Sequence, residues 1–232
     1  MRTNQEYKNI ALAALRGTWA QAIVATFIVF VLDVLLDCCV LVFNLMGNKG
    51  VFGDGAWAYP VQVGAMSLTL LLVMFFLVLP LLANYINSFS SLCYKSDKSL
   101  LAKMKSFSID DSLHVSSGIL VMSIITSICS MVLIVPGVIA SLALFLTPYL
   151  LNDYPDLSVI QTLRLSNKMM KGHKMRLFKL QLSFVGWILL SMLTLGIGLL
   201  WLLPYMMTTM AAFHQDVREQ YIMKEGQQES AL

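Results

Sequence analysis

Charge is what this sequence has least of. Only 12% of its 232 residues are Asp, Glu, Lys or Arg, about half the roughly 25% of an ordinary soluble domain. So few charges cannot cover a water-facing surface. Inside the long apolar runs acids are scarcer still, with Asp33 and Asp37 alone. The four cysteines (Cys38, Cys39, Cys93 and Cys129) have no paired spacing, which excludes a disulfide framework. Walker and dinucleotide glycine patterns are absent, which removes the usual phosphate cradles. No Ser or Thr within the apolar runs has a His–acid partner there, so a nucleophilic triad has no support and no enzymatic activity is expected. A basic face interleaved with aromatics is also missing, which excludes nucleic acid as a partner. Nothing resembles a cleaved leader: residues 1–17 carry Glu6, and the apolar run at 18–43 far exceeds such a segment.

Apolar sequence is what there is instead. Hydrophobic residues make up 58%, with a mean hydropathy of +0.74. The 16 basic residues fall in five segments: three in 1–17, one in 44–60, four in 88–114, six in 152–179, where Arg176 and Lys179 open the last apolar block, and two in 214–232. Cytoplasmic loops hold Lys and Arg because carrying them across during insertion is unfavourable. Alternation therefore puts every basic segment inside except that of Lys49. The two blocks at 113–151 and 175–213 are each too long for one crossing of a roughly 30 Å core. Val135-Pro136-Gly137 and Leu195-Gly196-Ile197-Gly198 divide them, since Pro and Gly break helices.

The expected architecture is an all-α integral membrane protein, one polytopic domain over 1–232. It has six transmembrane helices in three hairpins (18–87, 113–151 and 175–213), a short cytoplasmic tail at 214–232, and both termini in the cytoplasm. An amphipathic interfacial helix is expected before each hairpin. Thr3-Asn4-Gln5-Glu6 and Ser158-Val159-Ile160-Gln161 are capping-box starts, and Arg16-Gly17 and Lys171-Gly172 are stops. The middle stretch begins near Asp97. In the third, Ile160, Leu163 and Met170 recur at helical spacing beside Arg164, Lys168 and Lys171. Gly186, Ser183, Gly196 and Gly198 are expected to let the last hairpin close tightly.

The last hairpin also carries a family pattern. Ser166-Asn167-Lys168-Met169-Met170-Lys171-Gly172-His173-Lys174 is followed by Leu177-Phe178, Ser183-Phe184, Gly186-Trp187 and Thr194-Leu195-Gly196-Ile197-Gly198. Trp201, Pro204-Tyr205 and Ala212-Phe213 complete it. With Arg16-Gly17-x-Trp19 and Ile134-Val135-Pro136-Gly137, these resemble the bacterial integral-membrane family known as domain of unknown function 975. The resemblance implies a bacterial cytoplasmic (inner) membrane location and brings no known reaction. The family often shows an aromatic ring where this chain has His214.

Three groups of residues are candidate sites. Arg164, Lys168, Lys171, His173, Lys174 and Arg176 form the densest basic cluster, suited to anionic lipid headgroups or to snorkelling anchorage. Asp33 and Asp37, at i and i+4, share a helix face as an ion or proton site would need, or lie paired near the outer interface. Pro80, Pro148 and Pro204, with Tyr149 and Tyr205, mark helices whose freed carbonyls could bind a substrate, or kinks that merely fit helices together. His114, His173 and His214 lack ligand spacing, so neither a metal nor another cofactor is expected; a shared site with Asp153 or Asp216 is the alternative. The expected function is binding of lipid, or of membrane-protein partners including a second copy, at the basic inner face. A small-solute or lipid transporter or channel is the alternative.

Overall fold

The computed structural model describes residues 2–47, 83, 85, 86, 88–90, 109–132, 134–194 and 196–229, without the side chains of 33, 36, 37, 39–41, 43–47, 109–112, 132, 134 and 227–229. Among these residues all regular structure is helical, and there is no strand.

Helix α1 (Asn4–Leu15) starts at the Thr3–Glu6 capping box, formed reciprocally as the sequence predicts. It stops at Gly17, whose φ of +88° suits a residue without Cβ. Helix α2 (Trp19–Gly47) then departs at 96° to α1, measured over its first part to Leu32.

The second hairpin is α3 (Ile109–Val132) against α4 (Ile134–Leu144) and α5 (Thr147–Asp153). Val135, Pro136 and Gly137, expected as the break, lie inside α4 instead, with Pro136 in its first turn, where a missing N–H costs little. The approach there is close: a Cβ on Gly137 would stand 2.7 Å from the Ser130 Cα. Pro148 likewise sits in the first turn of α5, after a break at Phe145–Leu146.

Helix α6 (Val159–Met169) begins at the second predicted capping box, Ser158–Gln161. It packs against protein. Thr162, Leu163, Ser166, Met169 and Met170 are buried, and the Ser166 hydroxyl donates to the Ala143 carbonyl at 3.0 Å. Ile160, expected on the apolar face, points outward instead.

The third hairpin joins α7 (Lys174–Leu193) to α8 (Leu199–Glu229) through a turn containing Gly196 at φ +84°. Gly198 allows close contact, since a Cβ there would lie 3.1 Å from the Ser191 Cα. Gly186 does not: it faces open space. Pro204 does not interrupt α8. The Thr208 hydroxyl donates to the Pro204 carbonyl and that of Thr209 to Tyr205, both at 2.7 Å, each bonding back along its own helix. Residues 214–229, expected as a tail, continue α8, and Ala211–Val217 is largely buried.

The main core gathers Tyr7, Leu146, Leu150, Met170, Leu177, Leu180, Phe184 and Phe213 where α1, α5, α6, α7 and α8 meet. A second joins Leu15, Ala22 and Ala25 to Tyr85 and Phe89. Outward faces are apolar as well. Leu113–Met131, Val135–Asp153 and Lys174–Leu193 are each long and apolar enough to cross a membrane. Ile128, Met131, Leu182, Leu189 and Leu193 stand more than half exposed. Such continuous exposed apolar surface is what a lipid environment requires.

Candidate functional site

Polar side chains converge at the end of the α7–α8 hairpin opposite its Gly196 turn. Gly172 (φ +84°) turns the chain out of α6, so His173 and Arg176 come directly beneath the bundle. The buried stripe Tyr7, Ala11 and Leu15 sets α1 against α8, which carries Asp216. The Tyr7 hydroxyl donates to Asp216 Oδ2 at 2.5 Å and accepts from Arg176 Nη2 at 2.5 Å. Arg176 Nη2 also reaches Asp216 Oδ2 at 2.9 Å and the Arg2 carbonyl at 3.3 Å, and Gln220 Nε2 donates to the same carboxylate oxygen at 2.8 Å. Arg2 stands beyond, its Nη2 3.7 Å from Glu219.

This triangle closes a loop of more than two hundred residues between α1 and α8. An arginine in a helix's first turn opposes the helix dipole, and Asp216 compensates for it. Burial pushes the Asp216 carboxyl upward, but the hydrogen bonds from Tyr7, Arg176 and Gln220 outweigh it and hold it below the ordinary 3.8. Burial together with the Asp216 charge raises the Tyr7 phenol. Arg176 Nη1 donates to His173 Nδ1 at 2.9 Å, so the imidazole is neutral, with its proton on Nε2. Burial and then the Arg176 charge lower its pKa, in agreement.

A second cluster lies between α5 and α8. The His214 ring stacks on Tyr149 (centroids 4.9 Å apart, planes at 18°) and is 1% exposed. Burial, then the Arg218 charge, push its pKa down to about 3. The 3.6 Å approach of Nε2 to Asp153 Oδ2 is therefore no ion pair; the charge partner of Asp153 is Arg218, at 3.3 Å. Among the described residues neither His214 ring nitrogen has a hydrogen-bond partner.

The six basic-cluster residues thus divide. Arg176 and His173 turn inward. Lys168 bonds Glu225 at 3.1 Å and lies over the Tyr221 ring. Arg164 and Lys171 are exposed and Lys174 half-buried, and none makes an ion pair among the described residues; exposed Lys179 is the same. The side chains of Asp33 and Asp37, and Pro80, lie outside the described residues. Tyr205 packs edge-on against Phe184 with centroids 5.5 Å apart. His114 Nε2 pairs with the Leu157 carbonyl, and no three metal-binding side chains converge among the described residues. Tyr7 was hidden because its partners are remote in sequence. The signal for it was the i, i+4, i+8 stripe of Tyr7, Ala11 and Leu15.

Neither the curated proteins nor the solved structures give a match to this chain. A family model does, over residues 58–221. That segment holds Asp153, Arg176, His214 and Asp216 and begins after α1, so Tyr7 and the Arg16–Trp19 stretch fall outside it. Matched over more than half its length, the chain belongs to a family described as protein of unknown function, DUF975.

Proposed function

We propose that this is a bacterial inner-membrane protein that threads the bilayer six times, keeps both termini in the cytoplasm, and holds anionic lipid headgroups against its basic inner face without catalysing a reaction. One observation carries the reading. The basic cluster divides between cations consumed internally and three, Arg164, Lys171 and Lys174, that pair with no carboxylate among the described residues, and nearby Lys179 joins these three. Each such cation near an anionic surface contributes roughly 1 kcal/mol. The internal set fixes α1 across the end of the bundle, and the outward set faces the same side. Membrane-protein partners, including a second copy, would meet this same surface.

The test is reconstitution in bilayers of mixed phosphatidylglycerol and phosphatidylcholine, with retained lipids counted by native mass spectrometry. Enrichment of phosphatidylglycerol is expected, and it should fall in the joint variant Lys171→Gln, Lys174→Gln and Lys179→Gln. Equal retention of both lipids by the unaltered protein would overturn the proposal. The transport alternative has less support, because α8 passes Pro204 unbroken and Tyr149 is covered by His214. Solute flux in sealed vesicles tests it separately.

A further inference from the structure

Lys8 stands apart from every cation described above. Its ammonium lies 4.6 Å from the centroid of the Phe184 ring, which is fully buried within the bundle. No carboxylate among the described residues pairs with it. Partial burial lowers its pKa, and the partner it faces among the described residues is an aromatic ring.

Beside it opens a groove of about 340 Å³, walled by Leu12, Trp19, Trp187, Leu190, Trp201 and Tyr205. Leu12 is one helical turn beyond Lys8 on the same side of α1, and Tyr205 touches the ring beneath the ammonium. The groove faces outward, since Trp187, Leu190 and Trp201 are each more than half exposed. Its wall is apolar almost throughout. A cation with no carboxylate partner among the described residues therefore stands one helical turn from an apolar trough in the outward surface.

We propose that this groove is a binding site for one anionic phospholipid, with an acyl chain along Leu12, Trp187 and Trp201 and its phosphate on the Lys8 ammonium. The assignment rests on the membrane reading above and adds a discrete site to it. Charge complementarity selects the occupant. A soluble anion would leave the apolar wall bare, and a neutral lipid would leave Lys8 without a counter-ion. An amphiphile bearing a phosphate satisfies both.

Three of the chain's four tryptophans line the groove, so they report on it directly. In a Trp57→Phe background, reconstituted full-length protein is titrated with phosphatidylglycerol brominated on its acyl chains, and separately with brominated phosphatidylcholine. Stronger quenching by the anionic lipid is expected. Lys8→Gln should abolish that preference, Lys8→Arg should keep it, and the joint Lys171→Gln, Lys174→Gln variant should leave it in place. Helical circular dichroism and Tyr7-dependent protection of α1 confirm that Lys8→Gln folds. An unchanged preference in Lys8→Gln would overturn the site. Preference lost only in the Lys171, Lys174 variant would also overturn it, while leaving the basic-face reading intact. No preference in the unaltered protein would overturn the groove site, while the basic-face reading stands or falls with the lipid-retention test. Tryptophans shielded from both lipids would mean that a second copy covers the groove, which again overturns the proposal.

Discussion

Replacing Tyr7 by Phe removes one oxygen atom and, with it, the hydrogen bond to Asp216 and the one from Arg176. Each joins the phenol to a charged group, a class worth about 1.5–3 kcal/mol. Asp216 keeps Arg176 and Gln220 in the variant, so it is not stranded. The loss should therefore sit near the low end for the pair, about 2–3 kcal/mol. The ring itself stays, with its edge contact to Phe213 and the burial of Ala11 and Leu15. The energy is then lost from the docking of α1 rather than from the hairpin. At about 1.4 kcal/mol per tenfold, local opening of α1 rises roughly 30- to 140-fold. Hydrogen exchange in bilayer discs reads this at the amides of residues 5–15. The reasoning fails if those amides change less than about threefold, or if α7 and α8 quicken equally, since that would place the loss in the whole fold.

Other consequences are testable in the same preparations. His214 is neutral in the folded protein, with its pKa down at about 3 from 6.5. Between those values the unfolded chain holds a proton that the folded one lacks, so stability falls as pH drops through this window, by up to about 1.4 kcal/mol per pH unit. His214→Phe keeps a ring on Tyr149 and deletes two orphaned nitrogens. It should unfold at a higher temperature than the parent at pH 5 and lose that slope; an unchanged slope would contradict the assignment. Asp216, held below 3.8, contributes stability above that pH and loses it as pH falls further, so α1 protection should persist to pH 4 and vanish below. Gly137→Ala must displace the Ser130 backbone and should cost about 1–3 kcal/mol in thermal unfolding, while Gly186→Ala, with open space around it, should be silent.

Local chemistry was legible in the sequence. The capping boxes at Thr3 and Ser158, the stops at Gly17 and Gly172, and the hairpin turn around Gly196 rest on short-range sterics and hydrogen bonding. They formed where those rules put them. Long-range pairing was less legible. Arg176 reads as one more lysine-like surface charge until α1 arrives with Tyr7 and α8 with Asp216. His214 reads as the start of a polar tail, because nothing local reveals that α8 continues through it into the core. Pro204 reads as a break, yet it lies inside α8, which continues through it. Ile160 fits the apolar stripe of α6 by spacing, but the face that packs includes Thr162 and Ser166, whose hydroxyls find carbonyl partners at Ser158 and Ala143.

The outward lysines and the docked end of α8 must share the cytoplasmic side if anionic lipid is to be held there. Single cysteines replacing Lys171 and Lys224, in a background with the four native cysteines changed to alanine, can be labelled from either side of sealed, oriented vesicles with a membrane-impermeant maleimide. Modification of both from the cytoplasmic side alone is the predicted result. Modification of either from the opposite side would contradict the account.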